Sequence, residues 1–201
     1  FQAGAWARTH TGISHGNVSL GNIAVDLAER AFGALADARV LVLGTGDVGR
    51  RVVQALVSRG AGQVAVASRT FENARALAAE FGGACLPLAD ALAQAHAHDV
   101  IVGGAAVERA LLDAAALRAH AGRRHGRPLL LIDLGVPRNF DPAARALAGV
   151  YLSDLDDLAG VANANLRARL AEVATARAAL AEKAARAWGA TQRAQPEAGS
   201  P

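Results

Sequence analysis

Short apolar runs alternate with stretches of helical periodicity along most of the chain. Most of the runs are rich in valine, leucine or isoleucine, which is typical of strands buried on both faces of a sheet. The pattern predicts strands at Val40–Leu43, Gln63–Ala67, Cys85–Leu88, Asp99–Val102, Leu129–Leu134 and Val150–Leu152. It predicts helices at Val18–Phe32, Asp47–Arg59, Phe71–Phe81, Ala89–Ala97 and Leu111–His120. This alternation predicts an α/β fold with a doubly wound parallel sheet and right-handed crossovers.

The first strand runs directly into three glycines with G-x-G-x-x-G spacing, Gly44, Gly46 and Gly49. Gly44 permits a sharp turn, Gly46 lets the backbone approach a pyrophosphate, and Gly49 lets the next helix pack closely on the strand. Phosphates then lie at the N–H groups and positive dipole end of that helix. We therefore predict a Rossmann-type dinucleotide site that contains Gly44, Thr45, Gly46, Asp47, Val48 and Gly49.

The end of the second strand indicates which dinucleotide is preferred. A NAD-binding domain usually has Asp or Glu there to bind the ribose 2′-hydroxyl, whereas this chain has Ser68-Arg69-Thr70. A guanidinium pairs with a 2′-phosphate, to which the two flanking hydroxyls can add hydrogen bonds, so we predict NADPH as the cofactor. The fourth strand ends in Gly103-Gly104, which we expect to approach the nicotinamide half of the cofactor closely. An ordinary strand–helix turn explains these two glycines about equally well.

In the sequence, one helical segment precedes the predicted sheet and another follows it. In the first, the spacing of Ile23, Leu27 and Ala31 predicts a buried face. From Leu155 to about Trp188, apolar residues recur at helical spacing, which predicts one long helix that packs on another chain or domain. We expect four segments: a linker and helix over 1–36, a cofactor-binding domain over 37–154, a long helix over 155–188 and a disordered tail over 189–201.

Composition restricts the class of protein. The chain has 201 residues, a net charge of +3, one cysteine and no methionine. A single cysteine excludes an internal disulfide, and we interpret Cys85 as a structural thiol. Because no apolar stretch can span a bilayer and no signal peptide is recognisable, we expect a cytoplasmic protein without a membrane partner. Because a natural chain begins with methionine, we expect a fragment or a processed product.

Two polar clusters are interpreted as surface features. The basic segment 123–127 contains three arginines and a histidine, and a solvated turn is favoured over contact with a nucleic acid. His96 and His98 are two residues apart, so on a helix they point in different directions. We expect both imidazoles at the surface and no metal site.

Motifs in four parts of the chain, taken in order, resemble those of glutamyl-tRNA reductases over residues 11 to about 185. Residues 11–28 are similar to the linker of that family, and residues 40–49 with 67–70 resemble its NADPH site. The segment Ile132–Pro142 is similar to its strand-and-loop signature D-[IL]-[AG]-V-P-R-x-[IF]-D-P. Residues 150–158 resemble the entry to the long helix that connects to its dimerisation domain.

The resemblance implies NADPH-dependent reduction of glutamyl-tRNA to glutamate-1-semialdehyde, on the route to 5-aminolevulinate and tetrapyrroles. In that family the cysteine nucleophile and the tRNA-binding surface belong to an N-terminal domain that we expect to be absent here. Cys85 does not match that motif, so no catalytic residue is carried over, and the chain alone is expected to bind cofactor without reducing substrate. The implied partners are glutamyl-tRNA through the absent domain, a second copy through the C-terminal helix, and a downstream aminomutase. The strand end Gly103–Ala106 stands where the family usually has serine and threonine.

Two other functions are compatible with parts of the sequence. A shikimate dehydrogenase-like NADP oxidoreductase shares the Arg-Thr strand end, although the long C-terminal helix and the loop Val136–Arg138 argue against it. The second function is that of a non-catalytic Rossmann module used for regulation or assembly. The predicted cofactor-binding residues are intact, which argues against it: Gly44, Gly46, Gly49 and Arg69.

Overall fold

The structure, a computed structural model, describes residues 20–160. Its strands are β1 Arg39–Leu43, β2 Gln63–Ser68, β3 Ala84–Pro87, β4 Val100–Gly103, β5 Leu129–Asp133 and β6 Val150–Ser153. Its α-helices are α1 Leu20–Phe32, α2 Asp47–Ser58, α3 Phe71–Phe81, α4 Leu88–Ala93 and α5 Ala114–Gly122. Short 3-10 helices occupy Ala95–Ala97 and Pro142–Ala146, and residues 155–160 are helical.

The six strands form one parallel sheet in the order β3-β2-β1-β4-β5-β6. The chain moves outward from β1 to β3, crosses back to place β4 beside β1, and then moves outward again to β6. Loops that follow β1 and β4 therefore diverge in opposite directions and leave a crevice at the carboxyl ends of these strands. The predicted fold, a doubly wound α/β sheet of the Rossmann type, is confirmed.

Both faces of the sheet are buried. Successive side chains of a strand point to opposite faces, yet Val40, Leu41, Val42 and Leu43 of β1 are all 0% exposed. The face with Leu41 and Leu43 belongs to a core cluster that also includes Ile101, Leu129, Leu131, Leu117 and Phe140. Burial on both faces explains why the strands appear in the sequence as continuous apolar runs without polar alternation.

The predicted buried face of α1 is wrong in part. Ile23 is buried, but Leu27 is half-buried and Ala31 is exposed. Because α1 packs against α2, its orientation is set by that contact. The residues it buries are Gly21, Ile23, Ala24, Val25 and Ala28.

The helix predicted over Leu111–His120 starts later than expected. It begins at Ala114, and the carboxylate of Asp113 caps it by accepting a hydrogen bond from the Ala116 N–H at 2.8 Å. Leu111 and Leu112 precede the helix, and Leu112 forms an isolated parallel bridge with Phe140. The two leucines therefore anchor the loop that follows β5.

Several predictions lie outside the described residues. These concern residues 1–19 with the start of the linker motif, the long helix beyond residue 160, and the tail over 189–201. The helical residues 155–160 coincide with the predicted start of that helix. Within residues 20–160, no helix is long and apolar enough to cross a membrane.

The prediction of a solvated turn over residues 123–127 is wrong for Arg124, which is only 1% exposed. Its guanidinium pairs with Asp99 at 3.3 Å, and Arg39 at the start of β1 pairs with the same carboxylate at 3.1 Å. Burial by itself would raise the pKa of Asp99, but hydrogen bonds from Arg39 and Arg124 hold that pKa below its usual value. Arg124 also donates to the main-chain carbonyl groups of His96, His98, Arg127 and Pro128. Arg39, Arg124 and Asp99 therefore connect the amino-terminal ends of β1 and β4, which lie opposite the crevice.

The predicted surface position is wrong for His98, which is buried. His96 is half-buried, and its ring stacks on the buried ring of His120 with centroids 5.7 Å apart. Burial lowers the pKa of all three imidazoles, and nearby arginines lower that of His96 further. Among the residues that the structure describes, no group of three or more His, Cys, Asp or Glu side chains is arranged to bind a metal ion.

Candidate functional site

A pocket of about 330 Å³ opens at the carboxyl ends of β1, β2 and β4. It lies where the strand order reverses, which is where doubly wound sheets bind their ligands. One wall is the glycine-rich turn with the start of α2, another is the turn between β2 and α3, and a third is the segment after β4. Its lining consists of Gly44, Thr45, Gly46, Asp47, Val48, Ser68, Arg69, Thr70, Asn73, Leu88, Gly104, Ala105, Ala106, Val107 and Leu111.

The glycines of the turn after β1 meet different surroundings. Gly44 has φ +107°, and a Cβ there would lie 2.7 Å from the Ala105 nitrogen, so the turn requires a glycine. A Cβ at Gly49 would lie 2.1 Å from the Gly44 carbonyl oxygen, because α2 packs directly on the turn. Nothing lies within 4 Å of a Cβ built on Gly46, which is exposed at the pocket. Gly49 is buried behind the pocket lining, so it supports the turn from below.

The start of α2 presents unpartnered N–H groups to the pocket. Gly46 is the N-cap of α2 and has no side chain that could accept a capping hydrogen bond, and among residues 20–160 no such cap is formed. The first N–H groups of a helix have no partner within it, and the helix dipole makes this end positive. An uncapped helix start beside open space at Gly46 fits the pyrophosphate of a dinucleotide.

The turn after β2 is shaped by a side chain. The Ser68 hydroxyl donates a hydrogen bond to the Thr70 carbonyl at 2.7 Å, which leaves Arg69 exposed at the pocket wall. The proton of Ser68 is therefore used within the turn, contrary to the expectation that both flanking hydroxyls donate to a phosphate. Within residues 20–160, Arg69 forms no ion pair, so its guanidinium is free to bind an anion. Asn73, which was not predicted from the sequence, lines the same wall three residues beyond Thr70, the N-cap of α3.

The two glycines that end β4 are not equivalent. Gly104 lines the pocket, whereas Gly103 is buried in the strand and lies outside the lining, contrary to its predicted approach to the ligand. A Cβ at Gly103 would lie 2.7 Å from the Asn139 Cβ and 3.0 Å from the Phe140 ring. Gly103 therefore makes room for the loop after β5, and Ala105 and the residues after it form the pocket wall.

The loop after β5 is organised by a buried carboxylate, Asp133, which is 2% exposed. It accepts hydrogen bonds from the N–H groups of Gly135, Asn139 and Phe140 at distances between 2.9 and 3.1 Å. The sequence signal for this role is an acidic residue directly after four apolar residues of a buried strand. In the sequence, only the family signature over Ile132–Pro142 points to this loop.

A second carboxylate, Asp154, connects this loop to the helical residues 155–160. It accepts from the N–H groups of Asp156 and Asp157, and it pairs with Arg138 at 3.0 Å and Arg145 at 2.8 Å. Burial would raise the pKa of Asp154, but these hydrogen bonds and the two arginines hold it below its usual value. The acidic stretch after β6 is therefore a helix cap, and a cavity of about 260 Å³ lies between it and the loop after β5.

The switch-point pocket, the G-x-G-x-x-G turn and the uncapped helix start define a Rossmann-type dinucleotide-binding domain. A family model described as shikimate / quinate 5-dehydrogenase matches residues 26–161. The chain belongs to this family.

The chain is also similar to curated glutamyl-tRNA reductases. It is 38% identical to that of Trichlorobacter lovleyi over 91% of this chain and 42% of the relative. It is 37% identical to that of Deinococcus radiodurans over 90% of this chain and 51% of the relative. The chain therefore spans about half the length of these relatives or less. The resemblance to glutamyl-tRNA reductases is confirmed.

One solved structure shows the same similarity, and a second shows the same fold. The glutamyl-tRNA reductase from Methanopyrus kandleri superimposes with a TM-score of 0.83 at 33% identity, covering 96% of this chain and 48% of that chain. The nucleotide-binding domain of the Thermoplasma volcanium glutamyl-tRNA reductase gives a TM-score of 0.59 at 21% identity, covering 77% of this chain and 98% of that one. The second match supports the fold alone.

Proposed function

We propose that this chain is the NADPH-binding part of a glutamyl-tRNA reductase, which reduces glutamyl-tRNA to glutamate-1-semialdehyde in tetrapyrrole biosynthesis. Bound NADPH supplies the hydride for this reaction. The residues of this chain bind the cofactor, orient it and limit access of water to it. In this proposal no described residue acts as the nucleophile, and we assign that group and the tRNA-binding surface to the half of the relatives that this chain does not match.

One observation carries the proposal: Arg69 lies exposed beside a pocket whose other walls suit a dinucleotide. A guanidinium forms charge-assisted hydrogen bonds with a 2′-phosphate, whereas it offers a ribose 2′-hydroxyl no acceptor. The uncapped start of α2 accounts for the pyrophosphate, and Thr70 and Asn73 supply polar groups beside Arg69. The pocket therefore favours NADPH over NADH.

Shikimate dehydrogenase activity is the weaker proposal. The family model names it, but the solved shikimate dehydrogenase from Aquifex aeolicus is 19% identical to this chain with a TM-score of 0.51, which is similarity of fold alone. Curated glutamyl-tRNA reductases share twice that identity over most of the chain. Turnover of shikimate by the longer protein would overturn our preference.

The organisation that we propose follows the predicted segments. Residues 37–154 bind the cofactor, 1–36 link this domain to preceding parts, and 155–188 form a helix that packs on a second copy. We also propose that the protein acts in the cytoplasm, that its substrate is glutamyl-tRNA, and that an aminomutase takes up the reactive aldehyde product.

Titration of the chain with NADPH and NADH tests the cofactor proposal. We expect tighter binding of NADPH, and in Arg69→Ala a loss of about tenfold or more for NADPH, as for a lost charge-assisted hydrogen bond, with NADH affinity retained. Arg75→Ala is the matched control, because Arg75 is an exposed arginine of α3 outside the pocket lining. Equal affinity for both cofactors would remove the phosphate role of Arg69, and failure to bind either would favour a non-catalytic assembly module.

A further inference from the structure

The sheet order determines where each half of a bound dinucleotide lies. Arg69 follows β2 and the glycine-rich turn follows β1, so the 2′-phosphate lies on the β2 side of the pyrophosphate. The nicotinamide half then extends to the other side of β1, toward β4 and β5. Two segments border that side, Gly104–Val107 after β4 and Gly135–Arg138 after β5.

The side chain of Asn139 joins these two segments. It is 0% exposed, and its Oδ1 accepts a hydrogen bond from the Ala105 N–H at 2.9 Å. Its Nδ2 donates to the Ala105 carbonyl at 2.9 Å and to the Pro137 carbonyl at 3.3 Å. The amide thus pairs with both main-chain groups of Ala105, as a neighbouring strand would, beyond the point where the β4–β5 ladder ends.

The surroundings of Asn139 hold this side chain in one position. Asp133 accepts a hydrogen bond from the Asn139 main-chain N–H at 2.9 Å. A Cβ at Gly103 would lie 2.7 Å from the Asn139 Cβ, and a Cβ at Gly135 would lie 2.1 Å from its Nδ2. Gly103 and Gly135 therefore leave the space that the Asn139 side chain occupies, and Asp133 fixes its main chain.

The segment that Asn139 holds also contacts the glycine-rich turn. The Ala105 nitrogen lies 2.7 Å from where a Cβ of Gly44 would be, so a shift of Ala105 changes the space beside the turn. We propose that Asn139 is a positioning residue, which holds the segment after β4 in the conformation that the nicotinamide half of the cofactor requires. This inference rests on the proposed function, because it assigns a role within the same cofactor site.

The test compares two ligands on the whole 201-residue chain. NADPH spans both halves of the site, whereas adenosine 2′,5′-bisphosphate carries the 2′-phosphate and lacks the nicotinamide. In Asn139→Ala we expect NADPH affinity to fall about tenfold, as for a lost hydrogen bond, while affinity for the bisphosphate is retained. Asn139→Asp is nearly the same size but cannot donate to the two carbonyls when ionised, so we expect it to show the same selective loss.

Leu129→Val is the control for general destabilisation, because Leu129 is a buried residue at the opposite end of β5. We expect it to leave the ratio of the two affinities unchanged. If Asn139→Ala weakens both ligands equally, or weakens neither, the positioning role is overturned. If the unaltered chain binds neither ligand, the proposed function fails and the inference fails with it. Binding of both ligands by the unaltered chain, with no selective loss in the Asn139 variants, leaves the proposed function in place and overturns the inference alone.

Discussion

Alanine at Gly46 and alanine at Gly49 should have opposite effects on folding. Gly46 has φ −70° and ψ −175°, a conformation open to alanine, and nothing lies within 4 Å of the added methyl. We therefore expect Gly46→Ala to leave the free energy of unfolding unchanged or to raise it by about 0.4–1 kcal/mol, because alanine restricts the unfolded chain. At Gly49 the methyl would lie 2.1 Å from the Gly44 carbonyl oxygen, far inside ordinary van der Waals contact. Relief of that overlap requires backbone movement, and we expect a loss of about 1–3 kcal/mol.

Both variants should bind NADPH more weakly, but only in Gly49→Ala should the loss of affinity accompany a loss of stability. The methyl of Gly46→Ala occupies the space through which the pyrophosphate approaches the backbone, so NADPH binding should be lost in a protein that is fully stable. In Gly49→Ala, weaker binding should accompany lower stability. Urea unfolding gives the free energies and fluorescence titration gives the NADPH affinities. A Gly46→Ala protein that binds NADPH as tightly as the unaltered chain would refute the assignment of this turn to the pyrophosphate, and a stable Gly49→Ala protein would refute the packing argument.

Further predictions concern parts of the molecule outside the pocket. Arg124→Met should lower the free energy of unfolding by about 3 kcal/mol in urea titrations, because buried carbonyls lose their donor, and a change under about 1 kcal/mol would contradict this. NADPH affinity should be retained in that variant, since Arg124 lies at the amino-terminal ends of the strands and the pocket at their carboxyl ends. The folded-state pKa values of His96, His98 and His120 are lowered, so the unfolded chain binds protons more readily, and stability should fall as the pH drops below about 6.5. Thermal unfolding between about pH 5 and 8 should show that stability declines with falling pH, and that it declines less steeply in His98→Gln. Equal dependence of stability on pH in the two proteins would exclude a contribution from His98. Asp154→Ala should cost about 1–2 kcal/mol through loss of the helix cap, with faster amide exchange at residues 156 and 157 as the measurement; unchanged exchange would argue against the cap.

The features that the sequence predicted are those that depend on neighbours along the chain. Apolar runs indicated the strands because a parallel sheet is buried on both faces. The spacing of Gly44, Gly46 and Gly49 indicated the turn, because a strand, a turn and a helix follow one another within it. The exposed position of Arg69 followed from its place at the end of a strand.

The features that could not be predicted from the sequence depend on contacts between residues far apart in the chain. Asn139 bonds Ala105 across 34 residues. Arg124 bonds the Asp99 carboxylate and the carbonyl groups of His96 and His98 across 25 to 28 residues. A polar residue in a loop has the same sequence pattern whether it is solvated or buried against another loop, so the sequence alone predicts a solvated turn for Arg124. The buried face of α1 could not be predicted because its contact with α2 decides which side of the helix turns inward.

The pairing of β1 has a consequence for the order in which the protein assembles. β2 follows β1 closely in the chain, but the other neighbour of β1 is β4, which begins only at Val100. During synthesis, β1 therefore keeps one unpaired edge until β4 has been made. An unpaired apolar edge is a template for strands of other chains. Products that end before Val100 should therefore aggregate, whereas those that include β4 close the edge within their own chain.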